Sequence, residues 1–271
     1  MISNIDIQGH RGCRGLLPEN ALPAFKKAIE LGVHTLEMDV VISKDDKVIV
    51  SHEPFMSRRI CLKPSGEEIP ESEDMKHNLY EMTHEEIKQF DCGLKFHPDY
   101  PEQKKINCYK PSLDEVFKAS NVQNPSIKYN IEVKCKPKYD EFFTPNPKVF
   151  VSLILDVIEK YPVFERTNLQ SFDLRILEEI KRQAPKMKVA LLVDEGENIT
   201  KKLSQLSYSP EIISPYFKLL DAETVFKFQN DGFQIIPWTV NQESDIRRII
   251  DFKVDGIITD YPDKLIKMLK N

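Results

Sequence analysis

Residues 5–12 read IDIQGHRG, so a short apolar strand leads directly into His10 and Arg11. Two later segments carry charged pairs spaced by two residues, Glu37 with Asp39 and Glu132 with Lys134. Because side chains alternate between the two faces of a strand, the members of each pair point to the same face. The pattern predicts strands whose ends bring charged groups to a common site.

Eight short apolar segments alternate with stretches of helical periodicity. They are residues 5–9, 35–41, 127–133, 167–171, 188–193, 211–214, 234–239 and 256–259. Residues 189–193 are apolar at every position, which is typical of parallel strands covered on both faces. Eight such units in about 250 residues predict an α/β fold, a closed (β/α)8 TIM-type barrel, in which active groups lie at the carboxyl ends of the strands.

Helix boundary signals accompany these strands. Asn20 is predicted to cap a helix that ends at Gly32, and Asn241 is predicted to cap a helix near the C-terminus. Thr83 and Ser112 each precede a glutamate by three residues, which is the spacing of a capping box.

One segment breaks the alternation of strands and helices. The stretch from His52 to Pro111 has 60 residues, many of them polar, and is too long for a plain loop. We interpret residues 53–110 as a small insertion after the second strand, and residues 1–271 as one barrel domain. The larger apolar side chains of the insertion could cover a substrate or form a core of their own; they include Phe55, Met56, Phe90, Phe96 and Tyr100.

The composition narrows the possible partners and locations. The net charge is −5 and there is no long basic tract, so duplex nucleic acid is not expected as a partner. No apolar stretch approaches the roughly 20 residues of a transmembrane helix. The first eight residues lack the pattern of a secretory signal, which favours a cytoplasmic location, although a trimmed leader would make the protein periplasmic or secreted. The oligomeric state is not indicated.

The five cysteines show no CxxC spacing, and their odd number leaves at least one thiol unpaired within the chain. We expect them to be reduced and structural. Cys13 follows His10 closely, but the neighbouring histidine and carboxylates are better suited to acid–base chemistry than a thiol nucleophile.

The predicted strand ends carry groups for metal binding and proton transfer. Glu37, Asp39 and Glu132 are three carboxylates without a cysteine, a set that suits Mg²⁺ or Ca²⁺. The alternative is a salt-bridged ring in which the same acids pair with Arg11 and Lys134.

The remaining candidates would act on the substrate. His10 and His52 can serve as general base and general acid, because the pKa of a histidine lies near neutrality. Arg11 and Lys134 supply positive charge for a phosphate-like anion. Trp238, the only tryptophan, either packs in the core or forms an apolar wall for the substrate.

In these residues and in the motifs around them, the chain resembles the glycerophosphodiester phosphodiesterase family. The matching motifs occur in family order over nearly the whole chain: residues 10–12, 18–20, 37–40, 52, 111–116, 131–134, 170–172, 238–241 and 255–262. The resemblance implies a TIM-type barrel with a small insertion, a divalent metal on Glu37, Asp39 and Glu132, and His10 and His52 as the catalytic pair. Two positions depart from the family pattern, since Glu53 stands where Asp is usual and Ala21 where Thr is frequent.

The resemblance implies metal-dependent hydrolysis of a glycerophosphodiester to sn-glycerol 3-phosphate and an alcohol. A related phosphodiesterase acting on lysophospholipids or other lipid head groups would use the same residues. A zinc-dependent barrel hydrolase of amides would need more histidine ligands than the two predicted at the site. A non-catalytic module that binds a phosphate ligand is the remaining alternative, and the intact pair His10 and His52 argues against it.

Overall fold

The computed structural model describes residues 5–270, and its central sheet has nine strands. They are β1 (Asp6–Gly9), β2 (Thr35–Ile42), β3 (Val48–Val50), β4 (Lys128–Val133), β5 (Thr167–Ser171), β6 (Lys188–Val193), β7 (Ile212–Pro215), β8 (Gln234–Ile235) and β9 (Gly256–Thr259). Eight of them pair in parallel in the order β8-β7-β6-β5-β4-β2-β1-β9. The predicted strands are therefore all present.

The barrel is nearly closed where its first and last members meet. Backbone hydrogen bonds of 3.0 Å run from Asp255 N to the Ile235 carbonyl and from Ile258 N to the Pro237 carbonyl, and so join β9 to the segment that follows β8. The TIM-type barrel is thereby confirmed. Strand β8 is shorter than the predicted 234–239, because Pro237 has no N–H to donate to a ladder.

Helices surround the barrel and supply its outer core. They are α1 (Leu22–Leu31), α2 (His84–Ile87), α3 (Leu113–Gln123), α4 (Pro147–Glu159), α5 (Leu174–Gln183), α6 (Ile199–Leu203), α7 (Ala222–Asn230), α8 (Glu243–Asp251) and α9 (Pro262–Lys270). In α4, Phe150, Ile154 and Ile158 recur every four residues and are fully buried. This spacing places one apolar face of the helix against the outward side chains of the strands.

Two of the predicted helix caps were wrong. Helix α1 has Ala21 at its N-cap, and α8 has Gln242 at its N-cap. The amides of Asn20 and Asn241 instead donate to the carboxylates of Asp39 and Asp260, at 2.8 and 2.7 Å. A buried carboxylate needs donors more strongly than a solvent-accessible helix end does, which explains the difference.

Other boundary predictions were confirmed. Helix α1 ends at Gly32, whose φ of 96° is readily adopted only without a side chain. Thr83 and Ser112 both form capping boxes, with Glu86 and Glu115 respectively.

The segment between β2 and α3 forms an elaboration beside the barrel. Strand β3, which was not predicted, pairs antiparallel with β2, and the chain returns to the barrel at Ser112. A separate apolar cluster fills this elaboration: Val41, Ile49, Met56, Cys61, Ile69, Leu79, Ile87, Phe90 and Cys92. Among the side chains considered for covering the substrate, Met56 and Phe90 belong to this cluster and Phe96 is 52% exposed.

The expectation of fully reduced cysteines was wrong for one pair. Cys61 and Cys92 form a disulfide within the elaboration, because its fold brings their Cα atoms to 4.0 Å although they are 31 residues apart. Cys13, Cys108 and Cys135 are buried free thiols.

No helix within residues 5–270 combines the length and apolar character that crossing a bilayer requires.

We predict that Ser112→Ala lowers the free energy of unfolding by about 1 kcal/mol, because the Ser112 hydroxyl caps α3 by accepting from Glu115 N. Urea denaturation would measure the change. Ser126→Ala, at an exposed position outside any helix, is the control and should leave stability almost unchanged. Equal stability of the two variants would contradict the capping role.

Candidate active site

The carboxyl ends of the strands bring the predicted site residues together. His10 and Arg11 follow β1 directly, and Glu37 lies on β2. The register of the sheet places Asp39 of β2 beside Glu132 of β4, and Glu132 beside Gln170 of β5. Residues more than 130 positions apart in the chain thus form one row across neighbouring strands.

Three buried carboxylates form the centre of this site. Glu37, Asp39 and Glu132 each offer an oxygen atom that lies within 4.8 Å of the other two. Arg11 Nε lies 3.1 Å from Asp39 Oδ2, and Lys134 Nζ lies 2.7 Å from Glu132 Oε1. Two positive charges thus face three carboxylates, and Arg11 also pairs with another carboxylate outside the group, so the negative charge of the group is not fully neutralised.

Neutral donors orient these carboxylates. Glu37 accepts from Arg11 N at 2.9 Å and from the amide of Gln170 at 3.1 Å. Asp39 accepts from the Asn20 amide at 2.8 Å. The backbone of Arg11 has a φ of 50°, and this uncommon left-handed conformation accompanies the hydrogen bond from its N–H to Glu37.

Crowding of like charges changes the proton affinity of the acids. Burial and the neighbouring Asp39 raise the pKa of Glu37 well above its usual value. Burial also raises the pKa of Glu132 to about 7, although Lys134 acts in the opposite direction. For Asp39 burial is outweighed by Arg11, which holds the pKa of that carboxyl well below its usual range.

These carboxylates fit a divalent cation. Asp39 Oδ1 is buried and accepts no hydrogen bond from residues 5–270, and Lys134 Nζ lies 3.7 Å away, beyond hydrogen-bond distance. A buried oxygen without a donor is costly unless a cation can approach it. Three carboxylate oxygens without sulfur suit a hard cation such as Mg²⁺ or Ca²⁺.

His10 is oriented by a carboxylate that the sequence analysis did not consider. Asp260, directly after β9, lies 2.7 Å from His10 Nδ1, and its side chain is completely buried. Although burial opposes it, the contacts that Asp260 makes with His10 and with the charged Arg14 keep the pKa of this carboxyl well below its usual range. Burial lowers the pKa of His10 to about 4, which favours the neutral ring. An ionised carboxylate can only accept, so Nδ1 carries the proton and Nε2 is left as an acceptor.

The elaboration contributes to the environment of Asp260. Tyr100 donates its hydroxyl to Asp260 Oδ2 at 2.9 Å, and Arg14 donates Nε to Oδ1 at 2.9 Å. The guanidinium of Arg14 also lies 4.8 Å from the centre of the Tyr100 ring. Tyr100 therefore reaches the site, through Asp260.

His52 has a different kind of partner. Its Nδ1 lies 2.7 Å from Glu53 Oε1, and the Glu53 side chain is 37% exposed. Glu53 is one of the two positions that depart from the family pattern, and here it contacts a predicted catalytic residue. Burial, followed by the charges of Arg11 and Lys134, lowers the pKa of His52.

A cavity of about 180 Å³ opens between these groups, and all the predicted site residues except Asp39 line it. Trp238 forms one wall; its Nε1 donates to the Ser214 carbonyl at 2.8 Å and its ring meets Phe172 edge to face at 5.4 Å. Beneath the Trp238 ring, an apolar layer closes the barrel interior: Ala190, Ile212, Ile236 and Ile258. Trp238 thus contacts both the cavity and the core, so the two roles considered for it, core packing and an apolar wall for the substrate, are compatible.

A second cavity of about 120 Å³ adjoins the first. Both are lined by His52, Glu132, Lys134 and Phe172, whereas His10 lines only the larger one. The two histidines therefore differ in which space they face.

Several residues of the site were missed by the sequence analysis. Asp260 could have been found, because it follows a strand just as His10 does and belongs to a motif already singled out. Gln170 stands in such a motif too. Tyr100 was considered only as a possible cover for the substrate, and its contact with Asp260 has no local signal, because only the fold of the elaboration brings it to the barrel.

Comparison with known proteins agrees with this geometry. Residues 10–264 match the profile of the glycerophosphoryl diester phosphodiesterase family. The chain belongs to this family.

Individual relatives of the family are similar over nearly their full length. A glycerophosphodiester phosphodiesterase from Caldanaerobacter subterraneus subsp. tengcongensis is 32% identical over 96% of both chains. A solved structure from Silicibacter pomeroyi, provisionally named as a glycerophosphoryl diester phosphodiesterase, has a TM-score of 0.90 at 28% identity and covers 100% of this chain and 94% of its own. An Oleispira antarctica phosphodiesterase in complex with the product sn-glycerol-3-phosphate shares the fold, with a TM-score of 0.78, 20% identity, and coverage of 98% and 97%.

We predict that Glu132→Gln weakens the binding of Mg²⁺ or Ca²⁺ roughly tenfold or more, because an oxygen ligand loses its charge. Isothermal titration calorimetry would measure the dissociation constant. Glu19→Gln is a matched control, since Glu19 is a neighbouring carboxylate that pairs with Arg11 at 2.8 Å but lies outside the group of three. Unchanged affinity in the Glu132 variant would show that Glu132 is not a ligand, and absence of binding by the wild-type protein would mean that the acids form only a salt-bridged ring.

We also predict that Asp260→Asn lowers kcat by about 10²- to 10⁴-fold, because His10 loses the charge that fixes its tautomer. Metal affinity and KM should change little. Asp255→Asn is the control, because Asp255 lies at the opposite end of β9, where it accepts from Ile235 N. A normal kcat for Asp260→Asn would show that His10 needs no orienting carboxylate.

Proposed function

We propose that this protein hydrolyses glycerophosphodiesters to sn-glycerol 3-phosphate and an alcohol in a reaction that depends on a divalent metal. The observation that carries the proposal is the buried group Glu37, Asp39 and Glu132, two of whose members, Glu37 and Glu132, line the same cavity as His10 and His52. A phosphodiester has the complementary chemistry, because it presents negative oxygens to a cation and needs one proton removed and one supplied.

Glu37, Asp39 and Glu132 would hold Mg²⁺ or Ca²⁺. When bound, the cation would neutralise the phosphate oxygens and lower the pKa of the attacking oxygen. Arg11 and Lys134 line the cavity and would stabilise charge that develops on the phosphoryl oxygens.

The two histidines would move the protons. His10 Nε2 is an acceptor inside the larger cavity, so His10 takes the proton of the attacking oxygen. By family analogy this is the glycerol 2-hydroxyl, whose new bond to phosphorus gives a cyclic phosphate that water then opens. His52 lines both cavities. Burial and the charges of Arg11 and Lys134 lower the pKa of His52, and the negative charge of a bound phosphodiester would offset these two cations, so that a protonated His52 protonates the leaving oxygen as its bond to phosphorus breaks. Trp238 and Phe172 provide an apolar wall for the substrate.

A cytoplasmic location of the protein stays a prediction.

The direct test is incubation with glycerophosphocholine and glycerophosphoethanolamine in added Mg²⁺ or Ca²⁺, with release of sn-glycerol 3-phosphate as the readout. His10→Ala and His52→Ala should each reduce the rate by about 10²- to 10⁴-fold, because each removes one proton-transfer group. His77→Ala is the control, because His77 lies in the elaboration beside Glu73.

Glycerol 3-(4-nitrophenyl phosphate) separates the two roles of the histidines, since its leaving group needs no proton. It should restore the rate of His52→Ala and leave His10→Ala slow.

Several outcomes would overturn the proposal. If no glycerophosphodiester releases glycerol phosphate, whatever its head group, the reaction is excluded. Binding without turnover would indicate a binding module. Turnover confined to lysophospholipids would point to the lipid-directed alternative. A dependence on zinc alone would revive the amide hydrolase.

A further inference from the structure

The smaller cavity is bounded by two loops and the start of the elaboration. Apart from the four residues that it shares with the larger cavity, its lining is Glu53, Pro54, Val133, Cys135, Lys136 and Tyr139. His52 stands at the junction of the two spaces, so a leaving oxygen that it protonates would have its alcohol directed into this cavity. The small volume of about 120 Å³ suits a head group of a few atoms and not an acyl chain.

Two aromatic rings in the lining would ordinarily favour a quaternary ammonium group. Both rings, however, already have ammonium groups of the protein close by. Lys134 and Lys202 lie 5.9 and 5.4 Å from the centre of the Phe172 ring. Lys136 lies 5.6 Å from the centre of the Tyr139 ring. A cationic head group would therefore find ammonium groups of the protein already placed at the ring faces that usually attract it.

The charges of this cavity are paired with one exception. Glu53 contacts His52 at 2.7 Å, which is an ion pair while His52 carries the proton that it gives to the leaving oxygen, and Lys134 contacts Glu132 at 2.7 Å. Lys136 is exposed and forms no ion pair with any residue that the structure describes. Its ammonium group is thus the charge in the lining that is available to a ligand.

We propose that the smaller cavity is a head-group subsite that favours an alcohol bearing a carboxylate over one bearing only an ammonium group, with Lys136 as the specificity-determining residue. The proposal rests on the proposed function, because it assigns the cavity to the leaving alcohol of the same reaction.

Glycerophosphoserine and glycerophosphoethanolamine form a matched pair of substrates, because they differ by a single carboxylate. The wild-type protein should show the higher kcat/KM for glycerophosphoserine. Lys136→Met should lower the ratio of the two kcat/KM values by about two- to fivefold, the range of an exposed ion pair. The change should appear in KM for glycerophosphoserine and fade at high salt, with the values for glycerophosphoethanolamine nearly unchanged.

Lys138→Met is the matched control. Lys138 lies at the same 5.6 Å from the same Tyr139 ring but is not part of the cavity lining. In Lys138→Met, the ratio of kcat/KM for glycerophosphoserine to that for glycerophosphoethanolamine should equal the wild-type ratio. A wild-type preference for glycerophosphoethanolamine, or an unchanged ratio in Lys136→Met, would overturn the subsite while leaving the reaction intact. Absence of turnover with every glycerophosphodiester would instead overturn the proposed function.

Discussion

Three carboxylates lie within 4.8 Å of one another at an end of the barrel where little water reaches them. Such a group repels itself, and it persists only when cations and N–H donors surround it. Arg11 and Lys134 supply the cations, and Asn20 and Gln170 supply amides. Much of the local structure follows from this requirement, including the left-handed backbone of Arg11.

The same requirement extends to Asp260. Arg14, Tyr100 and Asn241 all donate to this one carboxylate, which is buried beneath them. Because so many donors converge, the carboxylate remains ionised and the His10 ring is held in one orientation. His52 has only the half-exposed Glu53, so its ring is less constrained and open to the neighbouring cavity. Two histidines with similar intrinsic chemistry are thus distinguished by their surroundings.

Much of this arrangement could be predicted from the sequence, because strand periodicity and strand-end charges are local signals. The eight barrel strands and the common location of Glu37, Asp39 and Glu132 follow from them. Asn20 and Asn241 were misread for a single reason. Each is a good helix cap by composition, yet each is required by a buried aspartate 19 residues further along the chain. Tyr100 and the disulfide of Cys61 and Cys92 depend on how the elaboration folds back, which no local pattern records.

The pairing of β1 with β9 makes the first and last strands of the barrel neighbours. His10 follows the first strand of the barrel, whereas Asp260 stands 250 residues later. A folding barrel that has not yet docked β9 therefore contains the histidine without its orienting carboxylate, and its wall is open beside β1. Closure of the barrel and completion of the acid–base apparatus are the same event, so a chain truncated before β9 would lack both the closed wall and the partner of His10.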